Sequence, residues 1–165
     1  MKARILLALA LLFCFGCTSQ ETKQLSQQEK DRIKTEVKAA VDDIVVKLDN
    51  LDAEGALQHY SPELVHVADG SQNDYQTYKK GWIDVNNSAA SWKLVPIHEE
   101  IMVLTKNLAI TTWVGKMEYV AKSGDKTTTD PQAYTDLFKK IDGQWKVIYE
   151  HASAGGEVTE KAGEK

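Results

Sequence analysis

Residues 142–153, Asp-Gly-Gln-Trp-Lys-Val-Ile-Tyr-Glu-His-Ala-Ser, form the stretch of sequence that is most informative about the fold. The Asp-Gly pair is typical of a tight hairpin turn, and the residues after it alternate between large and polar side chains, as in a strand with one buried face. The strand begins apolar and ends in Tyr149, Glu150, His151 and Ser153. A strand with this gradient can line a pocket from its floor to its mouth.

Helical patterns precede this strand, and the period of the apolar residues changes to two in the middle of the chain. Ser26 and Glu29 form a capping-box pattern in front of apolar residues at three- and four-residue spacing, which predicts a long amphipathic helix. The predicted elements are helices over 26–49 and 53–60, a strand over 64–68, a helix that begins within 71–74 and ends near 86, strands over 92–104, 109–120 and 134–140, and the quoted strand.

Helices first and a long meander afterwards predict an α+β domain, with helices on one face of a strongly curved antiparallel sheet. We place this domain at residues 26–154 and a flexible tail, rich in Gly, Glu and Lys, at 155–165. The chain of 165 residues is long enough for one core, and its composition of 42% hydrophobic and 27% charged residues excludes wholesale disorder.

The N-terminus predicts export. A short positive region precedes an apolar run over 5–15, which is too short to span a membrane and fits a signal peptide over 1–16. The run and the Gly-Cys pair after it resemble a bacterial lipoprotein signal, in which Cys17 would carry the lipid and 17–25 would form a tether. Thr18 favours attachment to the outer membrane, facing the periplasm; the alternative is a secreted or periplasmic soluble protein.

Charge and residue types exclude several classes of partner. The formal charge is −4, and −6 without residues 1–16, which carry Lys2 and Arg4. An acidic body without a basic stripe argues against nucleic acid and against electrostatic adhesion to anionic lipid, so we expect membrane contact only through the lipid. Both cysteines lie in the first seventeen residues, and the four histidines lack metal-binding spacing. We therefore predict no metal and no cofactor.

The order of the predicted elements, together with three local motifs, resembles the nuclear transport factor two-like superfamily. Within it the chain is similar to the SnoaL-like proteins, over about residues 30 to 153. The matching segments are residues 52–63 with the Asp-Gly pair at 69–70, residues 107–110, and residues 135–153 with their Asp-Gly-x-Trp and Glu-His-Ala-Ser motifs.

This resemblance implies a cone-shaped α+β barrel that holds a small molecule inside the cone and forms a homodimer through the outer face of its sheet. The superfamily includes isomerases, dehydratases and pure binders, so the fold leaves the function open. Many relatives have an arginine where this chain has Ala133, and a ligand carboxylate held by that arginine would have no counterpart here.

Aromatic and polar residues near the predicted cone are the candidates for ligand contact. Tyr78 and Trp82 share one face of the third predicted helix, which is either core or one wall of a cavity. The full set of expected ligand contacts is Tyr60, His66, Tyr78, Trp82, Trp113, Tyr134, Tyr149 and His151.

Two residues are candidates for acid–base catalysis. His151 could act as a general base near neutral pH, oriented by Tyr134 if the last hairpin has a two- or four-residue loop, or by Thr135 if the loop is bulged. The alternative is a histidine that packs at a strand end. Asp69 could act as a carboxylate base, but an aspartate before Gly70 also fits a plain turn.

The sequence is compatible with three functions. The first is an envelope lipoprotein that binds a small, partly apolar molecule without catalysis. The second is an isomerase- or dehydratase-type enzyme that uses His151 or Asp69 for proton transfer. The third is a dimeric interaction module. An enzyme requires at least two polar groups that converge inside the cone, whereas a binder requires volume and aromatic walls.

Overall fold

A computed structural model describes residues 24–163 of the chain. Within this part, three helices pack against a curved sheet of seven strands, which confirms the predicted α+β class. The predicted signal peptide, Cys17 and the tether up to residue 23 lie outside the described residues. The elements are α1 (Gln27–Asp49), α2 (Ala53–Leu57), β1 (Tyr60–Ala68), β2 (Ser71–Asp74), α3 (Tyr75–Ser88), β3 (Ala89–Thr105), β4 (Leu108–Ala121), β5 (Lys126–Ile141), β6 (Gln144–Ala154) and β7 (Glu157–Glu160).

Helix α1 begins at the predicted capping box. The Ser26 side chain accepts a hydrogen bond from the Glu29 backbone N–H, and the Glu29 carboxylate accepts one from the Ser26 backbone N–H. The apolar stripe of α1 covers the sheet. A polar clamp holds the helix to the last hairpin, because the Glu36 carboxylate accepts hydrogen bonds from the Lys140 ammonium at 2.6 Å and the Trp145 indole N–H at 3.0 Å.

The strand order is β2-β1-β6-β5-β4-β3, and β7 pairs with β5 beside this path. All pairings are antiparallel except β1 with β6, which is parallel. The predicted purely antiparallel sheet is therefore corrected to a mixed one. The reason is that the last strand of the meander returns beside β1 in the direction that β1 itself takes.

The segment before α3 differs from its prediction. Residues 71–74, expected to open a helix, form strand β2, which pairs with β1 through a two-residue turn. Asp69 and Gly70 occupy that turn with φ angles of 51° and 74°, a left-handed conformation that Asp-Gly sequences favour. Asp74 then caps α3 by accepting a hydrogen bond from the Thr77 N–H at 2.9 Å. Helix α2 ends at Leu57, earlier than predicted, because the chain already joins β1 at Tyr60.

The predicted flexible tail contains a strand. Residues 157–160 form β7, which pairs with the first part of β5, from Lys126 to Thr129. β5 begins earlier than predicted and extends beyond β6, which pairs only from Gln132 onward. The extended part of β5 would otherwise leave an open sheet edge, and β7 covers it.

The last hairpin combines both of the registers that the sequence allows. It begins with a two-residue turn that pairs Phe138 with Val147, and then shifts so that Leu137 pairs with Tyr149. Ile148 is the extra residue of this β-bulge. Because the side-chain period of a strand is two, the bulge exchanges the faces of all residues that follow it.

The neighbouring strand β4 bends where its register with β5 shifts, next to Gly115. A Cβ atom at this position would lie 2.3 Å from the Val95 carbonyl oxygen, so only glycine fits. Bulges and close approaches of this kind curve a sheet. The concave face that results, together with the helices over it, encloses the core and the cavities described next.

Candidate functional site

Two adjoining cavities open between the helices and the concave face of the sheet. The inner chamber has a volume of about 50 Å³ and lies against α1, and the outer cavity has a volume of about 610 Å³ and lies against α3. They share four lining residues, namely Trp82, Trp92, Tyr134 and Glu150. A volume of this size in the outer cavity is typical of small-molecule sites.

Aromatic side chains from α3 and from two strands form the walls of both cavities. Trp82 on α3 meets Trp92 on β3 edge-on, with ring centroids 5.3 Å apart. On the opposite side, Trp113 packs at 5.6 Å against Tyr134. Tyr78 and Trp82, which share one face of α3, therefore form part of a cavity wall, which is one of the two interpretations that the sequence allowed. Tyr78 also belongs to the hydrophobic core.

Two carboxyl groups face each other between the walls. The register after the bulge pairs Asp136 on β5 with Glu150 on β6, and both side chains line the inner chamber. Glu150 is only 3% exposed. Two enclosed carboxyl groups in one site cannot both ionise at low cost, so their titrations are linked.

Glu150 is held by two tyrosine hydroxyls. Its Oε2 atom accepts hydrogen bonds from Tyr78 at 2.9 Å and from Tyr60 at 3.2 Å. Burial raises the pKa of Glu150 to about 7, and the two hydroxyl donors hold it from rising further. Burial also raises the pKa of both tyrosines, so they stay protonated and act as donors. Glu150 thus changes its charge near neutral pH.

Asp136 is the second enclosed carboxyl group of the site, and its pKa is raised as well. Burial, and then the charge of Glu150, raise the pKa of Asp136 well above its usual value, although the Thr111 hydroxyl donates to its Oδ2 atom at 3.4 Å. Its other oxygen, Oδ1, is buried and has no hydrogen-bond partner in the described part of the chain. Buried polar atoms without partners are rare and are candidates for contact with a ligand or water.

His66 completes the polar group from the β1 side. Its Nε2 atom lies 3.6 Å from Oε1 of Glu150, and its ring packs at 4.8 Å on Tyr78. Burial lowers the pKa of His66, so the ring is neutral at pH 7 and the pair with Glu150 is not an ion pair there. The Asn73 amide lies 3.4 Å from the other ring nitrogen.

The structure brings six of the eight predicted contact residues to the cavities and places two elsewhere. Tyr60, His66, Tyr78, Trp82, Trp113 and Tyr134 line one cavity or both. Tyr149 and His151 do not, because the bulge turns them to the outer face, where His151 is exposed. The expectation that they line the cone is corrected.

Asp69 is not part of the cavity either. It is exposed in the turn between β1 and β2, as the plain-turn interpretation holds. Ala133 pairs with Val114 on the outer face, so the absence of an arginine at this position has no bearing on the cavity. Ala133 and His151 lie on the face opposite Asp136 and Glu150.

Asp136, Glu150 and Trp92 are site residues that the sequence prediction did not include. Asp136 alternates with the predicted Tyr134, so the strand period could have found it. Glu150 could not be found in this way, because its face depends on the bulge. Among residues 24–163, no group of three or more His, Cys, Asp or Glu side chains has an arrangement that could hold a metal ion. In the same range, no helix is both long and apolar enough to cross a membrane.

Solved structures with the same fold share little sequence with this chain. A provisionally assigned scytalone dehydratase from Novosphingobium aromaticivorans has a TM-score of 0.74 at 14% identity and covers 83% of this chain and 93% of its own. A hexachlorocyclohexane dehydrochlorinase of type 2 has a TM-score of 0.67 at 10% identity and covers 84% of this chain and 95% of its own. A nuclear transport factor two-like superfamily protein from Salmonella enterica has a TM-score of 0.67 at 16% identity and covers 77% of this chain and 94% of its own.

These likenesses and the curved sheet define the chain as a protein with the nuclear transport factor two-like fold. A comparison with curated proteins finds no match. The model of the family described as "Protein of unknown function (DUF3804)" matches residues 77–160, about half of the chain. The chain belongs to this family.

Proposed function

We propose that this chain binds a small, partly apolar molecule in the two cavities between the helices and the concave face of the sheet. The observation that carries the proposal is the outer cavity of about 610 Å³, which is walled by Trp82 and Trp92 and reaches Glu150, a residue that also lines the inner chamber together with Asp136. Aromatic walls supply apolar contact area, and a few enclosed polar groups fix the orientation of a ligand. The fold is shared by enzymes and binders, so the site carries the argument.

The four tryptophans provide a test that needs no knowledge of the natural ligand. In a ¹H–¹⁵N NMR titration with 2-phenylethanol, we expect the indole signals of Trp82, Trp92 and Trp113 to shift. Trp145 serves as the internal control, because its indole N–H donates to Glu36 and it lines neither cavity. The Trp82→Ala variant should bind about tenfold more weakly, since it loses one aromatic wall. Equal shifts of all four signals, or none, would contradict the proposal.

A proton-transfer enzyme is the second candidate function. The observation that favours it is the Asp136–Glu150 pair, in which burial raises the pKa of Glu150 to about 7 and the pKa of Asp136 well above its usual value. Two carboxyl groups in different protonation states at one site can serve as base and acid. In this version of the enzyme hypothesis, Glu150 and Asp136 take the roles that the sequence assigned to His151 and Asp69. Glu150→Gln should then abolish turnover of any substrate that the cavity accepts, and His151→Ala should leave turnover unchanged.

We also propose that the protein is anchored in the cell envelope through a lipid on Cys17, with the domain facing the periplasm. The support is the apolar run over 5–15 and the Gly-Cys pair that follows it. Cys17→Ser should move the full-length protein from the membrane fraction to the soluble fraction of the producing cells. Retention of this variant in the membrane fraction would contradict the anchor.

Self-association through the outer face of the sheet is a further proposal. Five residues form an uncharged row that crosses the paired strands, in the order Met102, Ile110, Leu137, Tyr149 and Val65. Met102 is 42% and Tyr149 37% exposed. An apolar row of this kind fits a second copy of the chain. Sedimentation velocity should show a dimer, and Tyr149→Glu should give a monomer; a monomeric wild type at every soluble concentration would contradict the proposal.

A further inference from the structure

The cavity walls carry several acidic groups, and His66 is the one basic side chain of the described residues that lines them. The inner chamber is lined by Glu99, Asp136 and Glu150, and the outer cavity by Glu150 and Glu157. Of the lysines and arginines between residues 24 and 163, none lines either cavity. An anionic ligand would therefore meet like charge and no cation, which disfavours its binding.

Two carboxyl oxygens of the inner chamber need donors that the described residues do not supply. These atoms are Oδ1 of Asp136 and Oε1 of Glu99, both buried and both without a hydrogen-bond partner in this part of the chain. Asp136 lines the inner chamber and is partly buried by the surrounding protein. Each oxygen accepts hydrogen bonds when its carboxyl group is ionised, so a ligand that donates several of them fits the chamber.

A lysine lies beside only one of the carboxyl groups of the inner chamber, that of Glu99. Lys38 on α1 lies 3.7 Å from the other oxygen of Glu99, and it is also paired with Asp42. Glu150, in contrast, has only neutral donors on its Oε2 atom, from Tyr60 and Tyr78. A buried carboxylate without a cationic partner is costly, and a cation in the chamber would relieve that cost.

The aromatic walls favour the same kind of ligand. The rings of Trp82, Trp92 and Trp113 border the inner chamber together with Tyr60 and Tyr134. The negative faces of such rings attract organic cations, and the attraction grows when water is excluded. No described cluster has the geometry for a metal ion, so the cation that fits is an organic one.

We propose that the ligand is a protonated primary or secondary amine on an apolar body. The ammonium group occupies the inner chamber and donates to Asp136 and Glu99, next to Glu150. The apolar body extends between the tryptophans into the outer cavity. This inference rests on the proposed small-molecule function and names the ligand class that the cavity selects.

Three probes with the same phenyl body and different head groups test the inference. They are 2-phenylethylamine, 2-phenylethanol and 3-phenylpropionate, titrated at pH 8 into the full chain with the tryptophan indole signals as the readout. We expect the amine to bind about tenfold more tightly than the alcohol, and the propionate to bind most weakly. Asp136→Asn should reduce the preference for the amine to about threefold or less, with little change for the alcohol. Glu63→Gln, at an exposed position, is the matched control and should preserve the preference.

The possible outcomes separate the inference from the function on which it rests. An alcohol that binds as tightly as the amine, or a propionate that binds more tightly, overturns the inference and leaves small-molecule binding intact. A preference for the amine that persists in Asp136→Asn overturns it as well. If Asp136→Asn does not fold, Glu99→Gln takes its place with the same expectation. Failure of all three probes to shift the cavity tryptophans would contradict the proposed function itself.

Discussion

The free energy of unfolding is expected to decrease by about 2.5 kcal/mol between pH 5 and pH 8 through the titration of Glu150 alone. Burial raises the pKa of this carboxyl from 4.5 to about 7 in the folded domain. A group with a raised folded pKa contributes its full stability below its unfolded pKa and loses it as the pH rises through the folded value. The loss therefore falls between about pH 4.5 and pH 7.

Other groups that face Glu150 also titrate and change the free energy of unfolding with pH. The wild type must therefore be compared with a variant that lacks the Glu150 carboxyl group. Burial lowers the pKa of His66, and this group contributes stability that increases with pH, opposite in sign to Glu150. Asp136 titrates above its usual range, and the tyrosines stay protonated over the whole window. Urea unfolding of the wild type and of Glu150→Gln at several pH values reports the contribution of Glu150 together with its coupling to Asp136.

The variant should become relatively more stable than the wild type as the pH rises, because glutamine fills the site without a charge. Glu63→Gln is the control, since Glu63 is exposed and lies on the same strand as Tyr60. It should follow the wild type at every pH. A constant difference between wild type and Glu150→Gln from pH 5 to pH 8 would show that Glu150 ionises equally well in the folded and unfolded chain.

Removal of one hydroxyl donor is the second large effect. Tyr78→Phe should destabilise the domain by about 3 kcal/mol at pH 8, because the buried carboxylate of Glu150 loses its shorter hydrogen bond, of 2.9 Å. At pH 5 the cost should be smaller, since Glu150 is then neutral in the folded state. The same variant should raise the pKa of Glu150, because the hydroxyl favours the charged form.

Tyr75→Phe is the matched control for this prediction. Tyr75 lies one turn earlier on α3 and packs partly against the core, and its hydroxyl makes no hydrogen bond to a described residue. Its substitution should change the stability by much less, and by the same amount at both pH values. An equal cost for the two tyrosine variants at pH 8 would contradict the role given to Tyr78.

Local patterns were sufficient for most of the fold. The apolar stripe and capping box of α1, the alternation in β4 and the Asp-Gly turn before β6 each depend on neighbouring residues, so the sequence alone predicts them. The pairing of strands that are distant in the chain was harder to predict from the sequence. Strand β7 forms because β5 has an edge to cover, and β1 pairs in parallel with a strand that is distant in the chain.

The sequence could not predict which residues of β6 face the cavities after Ile148, the extra residue of the β-bulge. It follows Val147, and two consecutive β-branched residues fit a regular strand as well as a bulged one. A regular strand would direct Tyr149 and His151 into the cone, as one of the two predicted registers has it. The bulge directs Glu150 there instead, opposite Asp136. The choice between these faces depends on packing across the sheet, which sequence patterns do not report.

The proposed site depends on one property above all, namely that the enclosed carboxyl group of Glu150 changes its charge near neutral pH inside the cavities. The most direct test is a ¹³C NMR titration of the side-chain carboxyl groups, in the wild type and in Glu150→Gln. We expect one carboxyl signal with a midpoint near pH 7 that is missing in the variant. A wild-type spectrum in which the Glu150 signal titrates below pH 5 would contradict it.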